Sequence, residues 1–218
     1  MAIAEREVTT PPQYAEEKQP AEGEWTPPPY RWTREQFYKM GDAGLFEGRR
    51  AILVEGEILA MPAMGDLHKC TLIRAGDVVR DVFGPGFFVS PQCPFDVGQA
   101  TDPEPDIALI RGTLEEYFSR GFTEAALIVE VSDTTISYDR RGKASLYASA
   151  GVQDYWVINI DQKPAQIEVF RQPEPDAAQQ HGFGYRQRTI HRAGEVLQPL
   201  AAPGPVAVSA LLPPQPEG

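Results

Sequence analysis

Two apolar runs constrain this chain most: "EPDIALI" at residues 104–110 and "ALIVEVSD" at 126–133. Side chains alternate across a strand, so Asp106, Ala108 and Ile110 share one face while Ile107 and Leu109 take the other. In the second run Ala126, Ile128 and Glu130 share a face, opposed by Leu127, Val129 and Val131. Apolar residues on both faces mark central strands covered on each side. Asp106 and Glu130 are thus carboxylates set into buried strand, where a charge is costly unless paired, hydrogen-bonded or holding a cation. If the runs are neighbouring strands, about 4.8 Å apart, the two acids converge at one end. Their repulsion then calls for a cation between them. Oxygen donors of that charge suit magnesium or manganese. Taken singly, the acids read equally well as a strand-start Asp behind Pro105 and a Glu paired with an arginine.

A third segment bears on that choice. In "YDRRGKASLYASAGVQDYW" the residues Asp139, Lys143 and Tyr147 recur every four positions, a common stripe on a helix. Lys143 follows Glu130 by one loop and can project back over the carboxylates, to bind a phosphate or to orient and activate water. The plainer reading is a surface Asp139–Lys143 pair.

The remaining patterns describe an α/β (α+β) chain with a mixed sheet and many hairpins. "TREQFYKMGDAG" opens with Thr33 and Gln36 in capping-box spacing. "RAILVEGEILAM" reads as two strands around Glu55-Gly56, and residues 66–83 carry apolar positions at helical spacing. "FFVS", "PFDV", "DYWVINI", "AQIEVFR" and "YRQRTI" read as strands, "GTLEEYFSRG" as a short helix, and 139–149 as a helix. "QPEPDAAQQHGFG" reads as an exposed loop. Residues 1–30 are rich in Pro and Glu and read as a disordered leader, whose "PPPY" at 27–30 is a stiff linker or a ligand for a partner's groove. The domain is expected over 31–203, and 204–218 as a C-terminal tail.

With 218 residues, 42% hydrophobic, the chain suits one domain with a sizeable core. Its formal net charge of −11 argues against a broad basic surface for nonspecific nucleic-acid binding. It leaves room for a nuclease, because a metal site is itself acidic. Cys70 and Cys93 form no zinc spacing and are expected as reduced, partly buried thiols. No signal peptide and no membrane-spanning run is evident, so the expected location is the cytoplasm, with no membrane partner.

"EPDIALI", "LIVEVSD" and "YDRRGKASLYASAGVQDYWVINI" resemble the Uma-two family of restriction endonucleases, within the PD-(D/E)XK nuclease superfamily. "TREQFYKMGDAG" and "LVEGEILAMPAMGDLHK" resemble its opening helix, hairpin and His-starting helix. The resemblance spans about residues 31–171. It implies a restriction-endonuclease-like mixed central sheet flanked by helices, and a magnesium or manganese ion held by Asp106, Glu130 and the backbone carbonyl of Val131. It implies metal-dependent hydrolysis of DNA phosphodiesters, with Lys143 as the catalytic lysine and DNA, with or without a homodimer, as partner. Glu57, His68 and Asp139 are then candidates to support the metal ligands from behind. Two positions depart from the pattern. Ser132 stands where the superfamily lysine usually lies, and Ile52 replaces an acid of the hairpin. The Ile52 departure and the acidic charge suit a catalytically silent binding or interaction module on the same fold, whereas Asp106, Glu130 and Lys143 suit the endonuclease. A hydrolase of another phosphoester is the third reading.

Overall fold

The computed structural model describes residues 27–98, 100–118 and 121–214. Most of the expected leader, residues 1–26, therefore lies outside the described residues, and Pro27–Tyr30 are exposed and without regular structure. Helix α1 (Arg34–Asp42) begins at the expected cap. Thr33 Oγ1 accepts the Gln36 amide at 3.3 Å, and Gln36 Oε1 accepts the Thr33 amide at 2.9 Å. Strands β1 (Arg50–Val54) and β2 (Glu57–Met61) form a hairpin through Glu55 and Gly56, both at positive φ, 48° and 75°. That is the primed two-residue turn favoured by strand twist. The backbone of Arg31 passes so close that a Cβ on Gly56 would lie 2.7 Å from that of Arg31, so glycine is required there. Helix α2 (Asp66–Phe83) follows and buries Thr71, Ala75, Val79 and Phe83.

The main sheet has six strands in sequence order: β3 (Phe87–Pro91), β4 (Ile107–Arg111), β5 (Leu127–Ser132), β6 (Asp154–Asn159), β7 (Gln166–Pro175) and β8 (Phe183–Arg192). Strands β5 and β6 run parallel, and the other neighbours antiparallel. A parallel pair needs a crossover. It is supplied by α3 (Ile136–Tyr138), a π-helical turn (Asp139–Lys143) and α4 (Ala144–Ser149). The alternation read from sequence sorts the core. Ile107, Leu109, Val129, Trp156 and Ile158 pack with α2 on one face. Ala108, Ile110, Ile128, Tyr155 and Val157 pack with Ala144 and Tyr147 on the other. The result is a mixed central sheet flanked by helices, as expected.

Several local expectations are corrected. "PFDV" is a loop: the amides of Phe95 and Asp96 bond to Pro103 O (2.9 Å) and Phe122 O (2.7 Å), not to a ladder, while the Phe95 ring is fully buried. The helix in "GTLEEYFSRG" is only a 3₁₀ turn, Leu114–Tyr117. Much of the loop expected after Arg171 is strand, because β7 and β8 stay paired to Pro175 and Phe183. Pro173 and Pro175 are tolerated because pairing with β6 ends at Arg171, which leaves that side of the strand without a ladder to break.

Among the described residues of the expected tail from 204, Val206, Val208, Leu211, Leu212 and Pro213 are buried. Strand β9 (Val196–Leu197) pairs with β10 (Val206–Ala207), and α5 (Val208–Leu211) packs on α2. Val208, Leu211 and Leu212 are fully buried, and Arg74 Nε donates to Ala210 O at 2.7 Å. Cys70 and Cys93 are free thiols, and Cys70 is exposed. Among the described residues no helix is long and apolar enough to cross a membrane.

Candidate active site

Pairing of β4 with β5 joins Ala108 to Ile128 and Ile107 to Val129. Continued by one residue, this register sets Asp106 opposite Glu130, both on the face covered by α4. The Asp106 amide donates to Glu130 Oε2 at 3.3 Å, and the Val131 amide donates to Asp106 Oδ2 at 2.9 Å. Two side chains from the crossover reach the pair. Lys143 Nζ lies 2.9 Å from Glu130 Oε2 and 3.3 Å from Asp139 Oδ1, and Tyr147 donates its hydroxyl to Glu130 Oε1 at 2.7 Å. Asp139 in turn accepts from Ser132 and Thr135 hydroxyls, each at 2.7 Å. Ser132 thus binds the same carboxylate that contacts Lys143.

From the other side His68, near the start of α2, brings Nε2 to 3.3 Å from Asp106 Oδ2. Gln92 donates to Asp106 Oδ1 at 3.2 Å. Asp106, Val131 and Lys143 line a small open cleft, bounded also by His68, residues 61–65 and residues 133–135. Glu57 is not part of this group: its exposed carboxylate pairs with Arg31 on the hairpin. Of the residues singled out from sequence, Asp106, Glu130, Val131, Lys143, His68 and Asp139 are brought together and Glu57 is not. Gln92 and Arg50, which lines the cleft and pairs with Glu104 at 3.2 Å, carry no sequence signal. They arrive through the ends of β3 and β1.

Asp106, Glu130 and Asp139 face one ammonium, and all four groups are buried. Burial, the largest influence on Glu130, pushes its carboxyl up to about 8 against the pull of Lys143. Burial also disfavours a charged Lys143, but Glu130, Asp139 and Asp106 together outweigh it and hold the ammonium well above its usual range. Asp106 is likewise penalised by burial, yet His68, Lys143 and the Val131 amide hold it below the usual carboxylate range. Burial, reinforced by Glu130, raises Tyr147, which keeps the hydroxyl a donor.

A carboxyl whose folded pKa is raised stabilises the fold most below its unfolded value, near 4.5. That contribution is lost as pH rises towards about 8. The metal-free protein should therefore lose thermal stability from pH 5 to 8, and Glu130→Gln should flatten the slope. Melting in EDTA across that range is the measurement, and equal slopes would mean that Glu130 ionises as freely as in the unfolded chain.

The donor chemistry fits a hard divalent cation. Asp106 and Glu130 offer carboxylate oxygens at facing positions of neighbouring strands, and Asp106 and Val131 line the cleft. Among the described residues no three His, Cys, Asp or Glu side chains are grouped to hold a metal. The cation would thus need main-chain oxygen, water and phosphate to complete its shell, the habit of magnesium.

The model of the Uma-two family, described as "Putative restriction endonuclease", matches residues 34–209. A crystal structure of a "putative nuclease belonging to DUF820" from Anabaena variabilis is similar at 16% identity and a TM-score of 0.60, over 82% of this chain and 96% of that one. At that identity the likeness speaks for the fold alone. No curated protein matches the chain. With the family model spanning most of the domain, from α1 through β10, the chain belongs to the Uma-two family of restriction-endonuclease-like proteins.

Proposed function

We propose that the protein is a metal-dependent DNA endonuclease that hydrolyses phosphodiester bonds at the Asp106–Glu130–Lys143 cluster. The observation that carries this reading is the convergence of two strand carboxylates and one buried lysine beside an open cleft that Asp106 and Lys143 line. Asp106, Glu130 and the Val131 carbonyl would hold magnesium or manganese. Such a cation, when bound, polarises the phosphate and lowers the pKa of its water. Burial keeps a proton on Glu130 when no cation is present, so a bound cation would displace it and binding would tighten as pH rises.

Lys143 acts as a fixed positive donor towards a phosphate oxygen in the cleft, since its neighbours keep it protonated. This differs from activating water by taking its proton. Asp139 and Glu130 hold the ammonium in place, and Tyr147 orients Glu130. His68 and Gln92 fix the Asp106 carboxylate. A silent binding module is the second reading, favoured by one fact: Lys143 and Tyr147 already satisfy Glu130 within the fold.

Plasmid and single-stranded DNA incubated with manganese separate the two. The wild-type chain should nick or cut in manganese and not in EDTA, and Asp106→Ala should lose both cleavage and manganese binding by calorimetry. DNA binding without cleavage by the wild-type chain would decide for the binding module, and manganese binding unchanged in Asp106→Ala would sink the metal assignment.

A further inference from the structure

The crossover between β5 and β6 changes its winding where it meets the site. Four residues of α-helix overshoot a full turn by about 40°, so groups spaced by four drift apart around the axis. An i→i+5 turn is wider, and four residues fall short of a full turn. Asp139–Lys143 is such a π turn, followed by α-helix from Ala144. The two deviations oppose each other over Asp139, Lys143 and Tyr147. All three side chains consequently meet at one place: Lys143 Nζ touches Asp139 and Glu130, and Tyr147 touches the other Glu130 oxygen.

Three contacts hold this turn. Tyr155, fully buried on β6, donates its hydroxyl to the main-chain carbonyl of Asp139 at 3.0 Å. Gly142 lies against the ring of Tyr138, where a Cβ would come within 2.6 Å of Cε2. Arg140 Nε donates to the buried Glu168 on β7 at 2.9 Å, tying the turn to the sheet. For packing alone Phe would serve at 155, since a buried hydroxyl costs about 1–3 kcal/mol when it lacks a partner. Its partner is the first carbonyl of the π turn, the residue whose carboxylate contacts Lys143.

We propose that Tyr155 is a positioning residue: its hydroxyl holds the Asp139 carbonyl and thereby keeps the π turn that aims Lys143 at the Asp106–Glu130 pair. Its catalytic consequence rests on the nuclease reading above; its geometric consequence does not. Tyr155→Phe in the full chain tests it, beside Tyr185→Phe as control. Tyr185 stacks on Tyr155 with centroids 6.0 Å apart and donates to Val152 O at 2.8 Å, so that variant loses a comparable bond away from the turn.

In EDTA the Lys143 ammonium, buried and hydrogen-bonded, should give a resolved ¹⁵N NMR signal, assigned by its absence in Lys143→Met. The signal should broaden or vanish in Tyr155→Phe and persist in Tyr185→Phe. In manganese, Tyr155→Phe should lose at least tenfold in kcat at unchanged KM, with Tyr185→Phe near wild type. A Lys143 signal that is missing from the wild-type chain, or the same in both variants, overturns the proposal. A wild-type chain that cuts no DNA defeats the nuclease reading, and the NMR comparison still decides the role of Tyr155.

Discussion

Lys143→Met should lower DNA cleavage by about 10²–10³-fold, the loss typical when one preorganised donor to the charge developing at the reacting centre is removed. Met keeps the unbranched stem in its buried place and deletes the ammonium. Manganese affinity should stay near wild type or rise, because a positive charge beside Asp106 and Glu130 disappears. The fold should weaken at the same time, since Glu130 and Asp139 lose the cation they share. Turnover is therefore to be measured well below the melting temperature of the variant, with manganese titrated in parallel. Cleavage at the wild-type rate would leave Lys143 as a structural counter-ion only.

Truncation after Pro203 should unfold the domain. It removes Val206, Val208, Leu211 and Leu212, all buried in the core shared by α2 and the sheet. Burying a Val or Leu side chain contributes about 1.5–3 kcal/mol, so four amount to roughly 6–12 kcal/mol. A whole domain is stable by only about 5–15 kcal/mol. The shortened chain should lack a cooperative thermal transition and show collapsed NMR dispersion. Leu211→Ala in the full chain should fold but lose about 2–5 kcal/mol in denaturant melts. A truncated chain that melts like the full one would mean that this segment merely lies on the surface.

Patterns confined to short stretches are legible in the sequence alone. The α1 cap needs only Thr33 and Gln36, the β1–β2 turn only Glu55 and Gly56, and the central strands only the alternation within 106–110 and 126–131. The Asp139–Lys143–Tyr147 stripe is likewise local. Composition misled where burial depends on distant partners. Prolines in 204–214 look like a tail, yet Val206, Val208, Leu211 and Leu212 are buried with α2 and the sheet. Pro173 and Pro175 look like a loop, yet they extend a hairpin beyond the reach of β6.

The sequence by itself determined which residues carry charge into buried strand, and the period-2 pattern that turns Asp106 and Glu130 to the face of Ala108 and Ile128. Only the tertiary structure decided that β4 and β5 are antiparallel neighbours in the register that sets the two acids opposite each other. It also brought His68 and Gln92 to Asp106, left Glu57 on the hairpin with Arg31, and wound the crossover as a π turn under Tyr155. The physical reason is range. Alternation and capping arise from bonds and sterics between near neighbours in the chain. Register, convergence and the winding of the turn are settled by contacts between residues 14 to 38 positions apart, whose partners no local pattern names.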